Sequence, residues 1–499
     1  MQLYQHFPFL LIMLPLIVAL LMFLFRGEKL TRQVTLVLHA LLTLMSLWLL
    51  IALLNNPDEY FKYRLGSYSA PWGVEMRIGF IEAIMATVFT SLIFLSLLGS
   101  RYDNEQDIEP GKSRYFYILI NLLVASLIAI VFVNDIFTSY VFLEINMLAS
   151  CALVVKKENK KTVKACIKYT CMSIIGSSLF FLATIMLYGI TGQLHMEYAH
   201  SVIDVWITTG QYHMPLLVSL GLYALALSIK SALFPFHIWL PDTYGYATTS
   251  VSALLSGVVV KSYVILLIKI LVRVYGIDTL HKLGIGSPLL VMGLISMMLG
   301  SILAFTQKDV KRMVAYSSVS QMGFIFMGIG FVTIAGFAAA SFHVIAHTFT
   351  KSMLFIATGA LIHTAQHHKI VDMAGVAYKN KTATVAFTIG ALSLVGLPFF
   401  AGFPSKFYLA RAAIQDGGDK WIAVVVLALS TFLSILYCLP VLYRMYLGGT
   451  KTEQSGQLDR EPVYGAKLTL VCMSLANIAL GIFHVPLMKL LERGIKLLG

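Results

Sequence analysis

Residues 227–235 read Leu-Ser-Ile-Lys-Ser-Ala-Leu-Phe-Pro, so Lys230 and Pro235 interrupt an apolar segment of membrane length. A second lysine, Lys406, lies in a similar segment two residues after Pro404. A charge at bilayer depth costs about 2.5–3.5 kcal/mol on insertion scales. Proline frees a backbone carbonyl, which within a membrane must bind protein or line a watery cavity. Two broken helices that each carry a lysine are typical of a transporter of small ions.

The composition predicts an all-α polytopic membrane protein. Of the 499 residues, 58% are hydrophobic and 12% are charged, and the mean hydropathy is +0.81. No soluble domain of this length has such a composition. The net charge of +13 would suggest nucleic acid for a soluble protein. Here the basic residues collect in short loops between apolar segments, where they set topology, so we predict no nucleic-acid partner.

Neither the cysteines nor the histidines predict a bound redox group. The five cysteines form no CxxC pair. The closest histidine pairs, His343/His347 and His367/His368, do not form a recognisable haem pattern across helices. We therefore predict no cofactor, no metal and no catalytic centre on this chain.

The apolar segments predict about fourteen transmembrane helices of the usual length of about 20 residues. They lie at approximately 7–25, 34–54, 78–99, 115–133, 136–155, 168–190, 214–235, 248–272, 287–306, 313–333, 335–362, 383–412, 420–445 and 464–487. The first has no basic flank or cleavage site, so we expect it to be retained. Three polar insertions, Arg101 to Arg114, Lys156 to Lys164 and Lys451 to Pro462, are predicted to be loops.

Basic residues predict the orientation of these helices. Most lysines and arginines fall in the odd-numbered loops, above all in Lys156-Lys157-Glu158-Asn159-Lys160-Lys161. The odd loops should therefore be cytoplasmic and both termini should lie on the outer side. The same lysine cluster could instead contact lipid headgroups or a partner protein.

The chain also repeats itself. Residues 178–184 read Ser-Leu-Phe-Phe-Leu-Ala-Thr, and residues 352–358, which lie 174 positions later, read Ser-Met-Leu-Phe-Ile-Ala-Thr. The same offset carries Lys230 to within two residues of Lys406 and the start of the fourth helix to that of the ninth. We predict two inverted five-helix repeats, helices 4–8 and 9–13, with helices 7 and 12 broken.

The repeats divide the chain into four parts. They are the N-terminal helices 1–3 (residues 1–114), the first repeat (115–272), the second repeat (287–445) and the C-terminal helix (464–499).

Ionisable residues at membrane depth form a candidate proton relay. In chain order they are Glu144, Lys230, Lys261, His343, His347 and Lys406. A carboxylate near a lysine holds that lysine charged, so Glu144 could switch Lys230; the alternative is a static ion pair. Lys261 is too deep to reach water easily, although snorkelling is an alternative. A row of titratable groups separated by water is what proton conduction requires.

Other polar residues could support the relay. His343, His347 and Lys351 are spaced four apart and share one helix face, and the two histidines could also bind a metal if a third ligand were present. His237, Tyr316 and Ser317 could line a water chain or pack helices. Asp135 could be a helix cap.

These residues resemble the antiporter-like subunits shared by respiratory complex I, energy-converting membrane-bound hydrogenases and multisubunit Mrp cation/proton antiporters. The resemblance covers essentially the whole chain and is carried by these segments: Phe142-Leu143-Glu144, Pro235 to Asp242, Asp309 to Gly323, Phe342 to Lys351, and Gly396 to Lys406.

The resemblance implies a fourteen-helix fold with two inverted bundles and no cofactor, in the cytoplasmic membrane of a prokaryote. It also implies work inside a larger complex, with homologous antiporter-like and small membrane subunits and with peripheral redox subunits that carry iron–sulfur clusters. It makes Glu144 and Lys230 the coupling pair, Lys261 the central relay and Lys406 the end of the half-channel toward the outside.

Three departures from the family pattern stand out. Glu82 stands where aspartate before a small residue is typical, and Thr243 to Thr249 lacks the usual histidine and proline. The chain is expected to lack the long lateral arm of the largest complex I subunit, so we do not expect it to be that subunit. The segment Leu65 to Glu75 is most similar to the D-type subunits of Mrp antiporters and hydrogenases.

Three hypotheses follow. The leading one is an ion-translocating subunit, driven by redox chemistry or by ion exchange in its partners. The others are a stand-alone secondary transporter of an organic solute and a structural scaffold subunit. The host complex, the carried ion (proton or sodium) and the direction of transport stay open at this point.

Overall fold

A computed structural model describes residues 3–25, 27–55, 58–109, 111–157, 159–447 and 464–499. The polar insertion predicted at Lys451 to Pro462 lies outside the described residues. Apart from one β-hairpin, the regular structure described is helical.

The helices are numbered in chain order. They are α1 Phe7–Leu21, α2 Glu28–Leu54, α3 Phe80–Gly99, α4 Arg101–Asp107, α5 Ser113–Phe132, α6 Ile136–Val155, α7 Lys160–Thr191, α8 Met196–Thr209, α9 His213–Lys230, α10 Leu240–Tyr246, α11 Thr249–Leu254, α12 Val260–Lys269, α13 Ile277–Leu283, α14 Gly286–Phe305, α15 Val310–Gly330, α16 Ile334–Ala365, α17 Val376–Lys379, α18 Lys381–Val395, α19 Gly402–Asp416, α20 Trp421–Leu447, α21 Tyr464–Ile482 and α22 His484–Leu498.

Thirteen helical spans in the described ranges are long and apolar enough to cross a membrane. One of them, Thr249–Tyr275, is continuous but contains two π-helical turns, Leu255–Val259 and Ile270–Tyr275. The twelfth predicted span is instead two short helices, α18 and α19. The polytopic helical fold is therefore confirmed, whereas the inverted repeats and the four-part division of the chain stay predictions.

Several predicted boundaries are wrong because polar residues also form helices. The insertion at Arg101 to Arg114 contains α4, and α7 begins at Lys160 inside the second insertion. Asn159 starts α7 by accepting a hydrogen bond from the Thr162 amide at 2.9 Å, which satisfies a free helix N–H. The last span ends at Ile482, and the amphipathic α22 follows it.

The β-hairpin follows α2. Strand β1, Phe61–Arg64, pairs antiparallel with β2, Glu75–Ile78, so that Arg64 lies opposite Glu75. It lies on the same side of the molecule as α8, α22 and the end of the Thr249–Tyr275 span, since Arg77 bonds both Glu197 and the Leu497 carbonyl. We call this side the hairpin face.

The opposite side carries α4, α10 and the loop before α7. Asp107 of α4 contacts Lys157 at 2.7 Å, and Asn104 accepts a hydrogen bond from Ser250 at the start of α11. Because it includes the lysine cluster, we call this side the lysine face. The 20-residue α3 separates the two faces by about 30 Å.

Three spans form the centre of the molecule. Thr249–Tyr275, Val310–Gly330 and Ile334–Ala365 are buried along most of their apolar length, whereas α2 and α20 expose most of theirs. Exposed apolar helices suit lipid, and buried ones need protein partners. The central spans carry Lys261, His343 and His347, so the fold holds these polar groups away from lipid.

Both predicted helix breaks are present. The first follows Lys230, the last residue of α9, and the second separates α18 from α19. Each contains a non-glycine residue in the left-handed region, Ala232 at φ 53° and Phe399 at φ 74°. Such conformations cost about 1–3 kcal/mol each and persist only where the surrounding structure fixes them.

Candidate functional site

Lys230 is buried at the end of α9, where it is 1% exposed. Its Nζ has no hydrogen-bond partner among the described residues and lies 5.5 Å from the centroid of the Tyr263 ring. Gly176 of α7 packs so closely that a Cβ there would lie 3.1 Å from Lys230 Cγ. A buried amine without a fixed partner can exchange a proton without first breaking a hydrogen bond.

Glu144 lies on α6 and acts electrostatically on Lys230. Its buried Oε1 has no hydrogen-bond partner, and the two side chains form no direct ion pair in the described part of the chain. The alternative of a static ion pair is therefore wrong. Switching of Lys230 by Glu144 across a gap stays a prediction.

Tyr263 connects the Lys230 environment to α6. Its ring lies beside Lys230, and its hydroxyl donates to Asn146 Oδ1 at 2.6 Å. Asn146 Nδ2 donates in turn to Ser126 Oγ at 3.1 Å. Tyr263 and Asn146 were not predicted from the sequence. The available signal was their position, each two residues after a relay residue, Lys261 or Glu144.

Lys261 is 1% exposed and does not snorkel. It is the second residue of α12, which follows the π-helical turn Leu255–Val259, and its Nζ donates to the Ser256 carbonyl inside that turn. A π-helical turn shifts the hydrogen-bond register and occurs often at functional sites. Ser256 Oγ contacts Ser318 Oγ of α15 at 3.2 Å, so the Lys261 site reaches a second central helix.

The two histidines of α16 share one face, as the spacing predicts. The rings of His343 and His347 stack with centroids 5.8 Å apart and planes 16° apart. His343 Nδ1 lies 3.0 Å from Ser405 Oγ of α19, whereas His343 Nε2 and both ring nitrogens of His347 have no protein partner within the described ranges. Lys351, one turn further, donates to the Val314 carbonyl at 2.8 Å.

Lys406 is 6% exposed and joins the two halves of the broken helix. Its Nζ donates to the carbonyl of Leu394 at 2.7 Å and, less closely, to that of Val395 at 3.3 Å. It also donates to Thr431 Oγ1 of α20 at 3.1 Å. A cation suits the end of α18, because the last carbonyls of a helix have no partner within it and carry partial negative charge.

Phe324 lies between the histidines and Lys406. Its place in the site was not predicted from the sequence. Its ring stacks on His343 with centroids 5.6 Å apart, and Lys406 Nζ lies 5.0 Å from the ring centroid. The ring thus offers its electron-rich face to the ammonium. The signal was its position, directly after the polar segment that ends at Gly323.

Comparison with protein families identifies the chain. The family described as "NADH:quinone oxidoreductase/Mrp antiporter, TM" matches residues 133–434, which is more than half of the chain and contains the whole candidate relay. The chain belongs to this family. The resemblance inferred from the sequence motifs is confirmed.

Individual relatives of the chain support the same family assignment. NADH-quinone oxidoreductase subunit N of Desulforudis audaxviator is 31% identical over 92% of this chain and 89% of its own length. The protein named antiporter subunit mnhD2 in Staphylococcus haemolyticus is 28% identical over 97% of this chain and 94% of its own. These relatives confirm the prediction of an antiporter-like subunit of the D type.

Two solved structures share the fold of this family member. A chain of the membrane-bound sulfane sulfur reductase, an archaeal respiratory membrane complex, superposes with a TM-score of 0.89 at 26% identity over 98% of this chain and 97% of that one. A chain of the Mrp complex from Dietzia sp. gives a TM-score of 0.88 at 21% identity over 99% and 97%, a likeness that concerns the fold alone.

Among the residues predicted to support the relay, Glu82 lies far from it. It is 2% exposed at the start of α3 on the hairpin face, where it accepts from Arg273 at 2.6 Å and from the Gly79 amide at 3.0 Å. It is a fully paired carboxylate, so the structure does not bring it together with Glu144 and Lys230.

The other supporting residues are closer to their predicted roles. Ser317 accepts a hydrogen bond from Lys351, and Tyr316 is half-buried one position before it. His237 is half-buried after the first break, with its ring 5.6 Å from that of Phe234. Only the Ser317 contact is a direct hydrogen bond to a buried amine, that of Lys351. A role of these residues in lining a water chain stays a prediction.

Asp135 is a helix cap. It precedes α6 with extended backbone, and its side chain accepts from the Thr138 amide at 2.7 Å. Replacing it by alanine removes one acceptor from the helix start, so Asp135→Ala should lower the free energy of unfolding by about 1 kcal/mol and leave proton movement unchanged. Thermal denaturation of the purified complex, together with a transport assay on the same preparation, checks this. Altered transport at equal stability would contradict it.

Two buried cations in the Thr249–Tyr275 span went unnoticed in the sequence. Lys269 is 0% exposed and donates to the carbonyls of Ile130, Val131 and Val133 at 3.3, 2.9 and 2.5 Å. Arg273, one turn on, binds Glu82. Their spacing of four residues within an apolar span was the available signal.

One group of potential metal ligands occurs among the described residues, and it lies away from the relay. Glu75, His195 and Glu197 place their ligand atoms within 4.8 Å of one another on the hairpin face. Burial alone would raise the pKa of Glu197, but Lys62 and Arg77 together lower it below its usual value. The carboxylates are thus already neutralised by cations, which disfavours a metal ion.

Proposed function

We propose that this chain is the proton-translocating D-type subunit of a multisubunit membrane complex, and that protons cross it along the candidate relay. The observation that carries the proposal is a set of buried polar atoms without protein partners in the described residues: Lys230 Nζ, Glu144 Oε1, His343 Nε2 and both ring nitrogens of His347. An unsatisfied buried group costs about 1–3 kcal/mol. Five such atoms, all on residues of the candidate relay, are explained by a water-linked path that uses them.

The two end lysines of the relay lie toward opposite faces. The 18 residues of α9 extend about 27 Å from the hairpin face before Lys230 is reached. The 15 residues of α18 extend about 22 Å from the lysine face before the break that precedes Lys406. Lys230 therefore lies nearer the lysine face and Lys406 nearer the hairpin face. A proton that passes from one to the other crosses most of the membrane.

The relay begins with a charge switch. An ionised Glu144 favours a proton on Lys230, and loss of that negative charge favours release of the proton toward Lys261. Because the two groups share no direct hydrogen bond, the switch acts through space and does not first have to break an ion pair. Tyr263 lies beside Lys230 on the same span as Lys261 and links the two sites.

The second half of the relay runs through α16. Each histidine can accept a proton on one ring nitrogen and donate from the other, which suits transfer between two amines. His343 reaches Ser405, the residue next to Lys406, so the histidine pair extends to α19. Lys406 releases its proton only by weakening its hold on the end of α18, which couples the last transfer to the broken helix.

We also propose an orientation in the cytoplasmic membrane. The lysine face carries Lys160, Lys161 and Lys164 at the start of α7, and a concentration of basic residues favours the cytoplasmic side. The hairpin face, with the first and last described residues, Leu3 and Gly499, is then outside. Protease or thiol-labelling experiments on single cysteines at Lys164 and Trp72 would test this orientation.

The partners proposed for the chain are homologous antiporter-like subunits and small membrane subunits. The names of the relatives include both an NADH-quinone oxidoreductase subunit and an antiporter subunit. Identifying the proteins that co-purify with the chain distinguishes the two possible energy sources, redox chemistry and ion exchange. Iron–sulfur proteins in the complex would indicate redox-driven transport. Further antiporter subunits without iron–sulfur proteins would indicate exchange against sodium. The comparisons do not favour a stand-alone solute transporter or a scaffold.

Glu144→Gln tests this function. The amide keeps the size of the side chain and removes its negative charge, so proton movement should fall about tenfold, as a coupling of about 1.4 kcal/mol implies. Proton movement is measured with a pH-sensitive dye in vesicles that contain the whole complex. Glu105→Gln, a change at an exposed residue of α4, is the matched control and should be unaffected. An undiminished rate in Glu144→Gln with the complex intact would contradict the proposal.

A further inference from the structure

A polar cavity opens on the lysine face above the start of α11. Its volume is about 180 Å³, enough for several water molecules, and its lining includes Asp107, Lys157, Thr249, Lys311, His363 and His368. Gln366 and His368 at its rim are exposed, so the cavity meets the surface. Its lining includes none of the candidate relay residues.

The cavity holds an ion pair that can titrate near neutral pH. His363 Nε2, at the end of α16, lies 3.0 Å from Asp103 Oδ1 of α4, with side chains 29% and 10% exposed. A histidine beside a carboxylate at the surface can take up a proton from water or a buffer and hold it in place. The cavity thus contains a group suited to collecting protons.

Other charged groups around His363 are already engaged or lie further out. Lys157 pairs with Asp107 at 2.7 Å, and Lys311 donates to the Ala247 carbonyl at 2.6 Å. Asp309 caps α15 by accepting from the Arg312 amide. Burial lowers the pKa of His368 despite the nearby Asp309, which disfavours a charge there. His363 with Asp103 is therefore the pair best placed to bind a proton.

A row of buried hydroxyls leads inward from the cavity. Thr249, Ser252 and Ser256 are three and four residues apart on the same span, so they share one face, and all are at most 4% exposed. The carbonyl of Ser256 accepts a hydrogen bond from Lys261 Nζ. Hydroxyl groups about one turn apart thus lie on one helix face between the cavity and the helical turn whose carbonyl binds Lys261.

We propose that this cavity, the Asp103–His363 vestibule, takes up protons from the lysine face and delivers them to Lys261. A hydronium ion or a buffer acid transfers its proton to the imidazole of His363, which forms an imidazolium paired with Asp103. The imidazolium then gives the proton, through water along Thr249, Ser252 and Ser256, to Lys261 when that amine is neutral. The vestibule rests on the proposed function, because it requires a proton-conducting Lys261.

The floor of the vestibule offers a steric probe. At Gly359, one turn before His363, a Cβ would lie 2.5 Å from Thr249 Oγ1 and 2.7 Å from Asp103 Oδ2. Both contacts are too short to persist, so the side chains would have to move. Gly359→Ala should therefore slow proton uptake while all titratable groups remain present.

His363→Ala tests the vestibule in vesicles that contain the whole complex, energised with a respiratory electron donor or a sodium gradient. We expect proton movement to slow about a hundredfold, the lower end of the range for loss of a positioned proton-transfer group. Imidazole added on the lysine-face side should restore most of the rate, because it can occupy the vacated space. His367→Ala, a change at an exposed neighbour, should transport normally.

Lys261→Ala separates the two proposals. It should stop proton movement, and imidazole should not restore it, because residue 261 is buried. If Lys261→Ala is inactive but His363→Ala transports normally, or is slow and insensitive to imidazole, the vestibule is wrong and the relay stands. If Lys261→Ala transports normally, the relay itself is wrong. Should His363→Ala fail to assemble, His363→Gln takes its place and must be slow, since a normal rate would overturn the vestibule.

Discussion

Replacing Lys230 by methionine is expected to reduce proton movement to background while the complex remains assembled. Methionine has a similar length and fills the same buried space beside Gly176 and Tyr263. Lys230 Nζ has no hydrogen-bond partner among the described residues, so removing the amine leaves no protein group unpaired. A buried charge without a hydrogen-bond partner is costly to desolvate, so an apolar side chain of similar size in its place should not destabilise the fold. The loss should therefore fall on transport alone.

Dye-detected proton movement and the amount of assembled complex, measured on the same vesicles, check this expectation. Lys164→Met is the matched control, because it removes an exposed lysine at the start of α7, on the lysine face, and should change neither quantity. Rapid proton movement in Lys230→Met would show that protons do not need this amine. Loss of assembly without loss of transport per complex would indicate a scaffold instead.

The sequence could predict the relay because burying a charge in lipid is costly. Lys230, Lys261, His343 and His347 were selected from their position inside apolar segments, and each is at most 2% exposed. Proline near Lys230 and Lys406 predicted both helix breaks, which the structure contains. Helical spacing also predicted that His343 and His347 share a face, as their stacked rings show.

The sequence could not predict the distances between helices. Glu144 and Lys230 lie on helices separated by α7 and α8, and no local pattern indicates that they stop short of an ion pair. Phe324 escaped notice because an apolar ring in an apolar span carries no signal, although it touches both His343 and Lys406. Such contacts are set by tertiary packing.

The hydrogen-bond partners of each buried lysine indicate whether it serves transport or stabilises the fold. Lys230 has no protein partner among the described residues, whereas Lys269 donates to three backbone carbonyls. Lys406 is intermediate, since its amine binds two carbonyls across a helix break. A fully bonded ammonium resists giving up its proton, and an unbonded one does not. Burial alone, which is all the sequence revealed, could not distinguish these cases.

Lys269→Met is therefore expected to destabilise the protein and not to block proton transfer directly. The substitution leaves the carbonyls of Ile130, Val131 and Val133 at the end of α5 without their buried donor. It also removes a cation from a helix end that carries partial negative charge. Leaving a buried hydrogen-bond acceptor without its donor costs about 1–3 kcal/mol. The complex should denature at a lower temperature and accumulate to a lower level.

Thermal denaturation in detergent measures the stability, and proton movement is normalised to the complex that remains. Lys230→Met is the matched comparison, because it makes the same chemical change at another buried lysine. We expect opposite outcomes: Lys269→Met should be unstable with near-normal transport per complex, and Lys230→Met should be stable and inactive. A stable, inactive Lys269→Met would place this lysine in the proton path. The hydrogen bonds that distinguish the two amines would then fail as a guide to their roles.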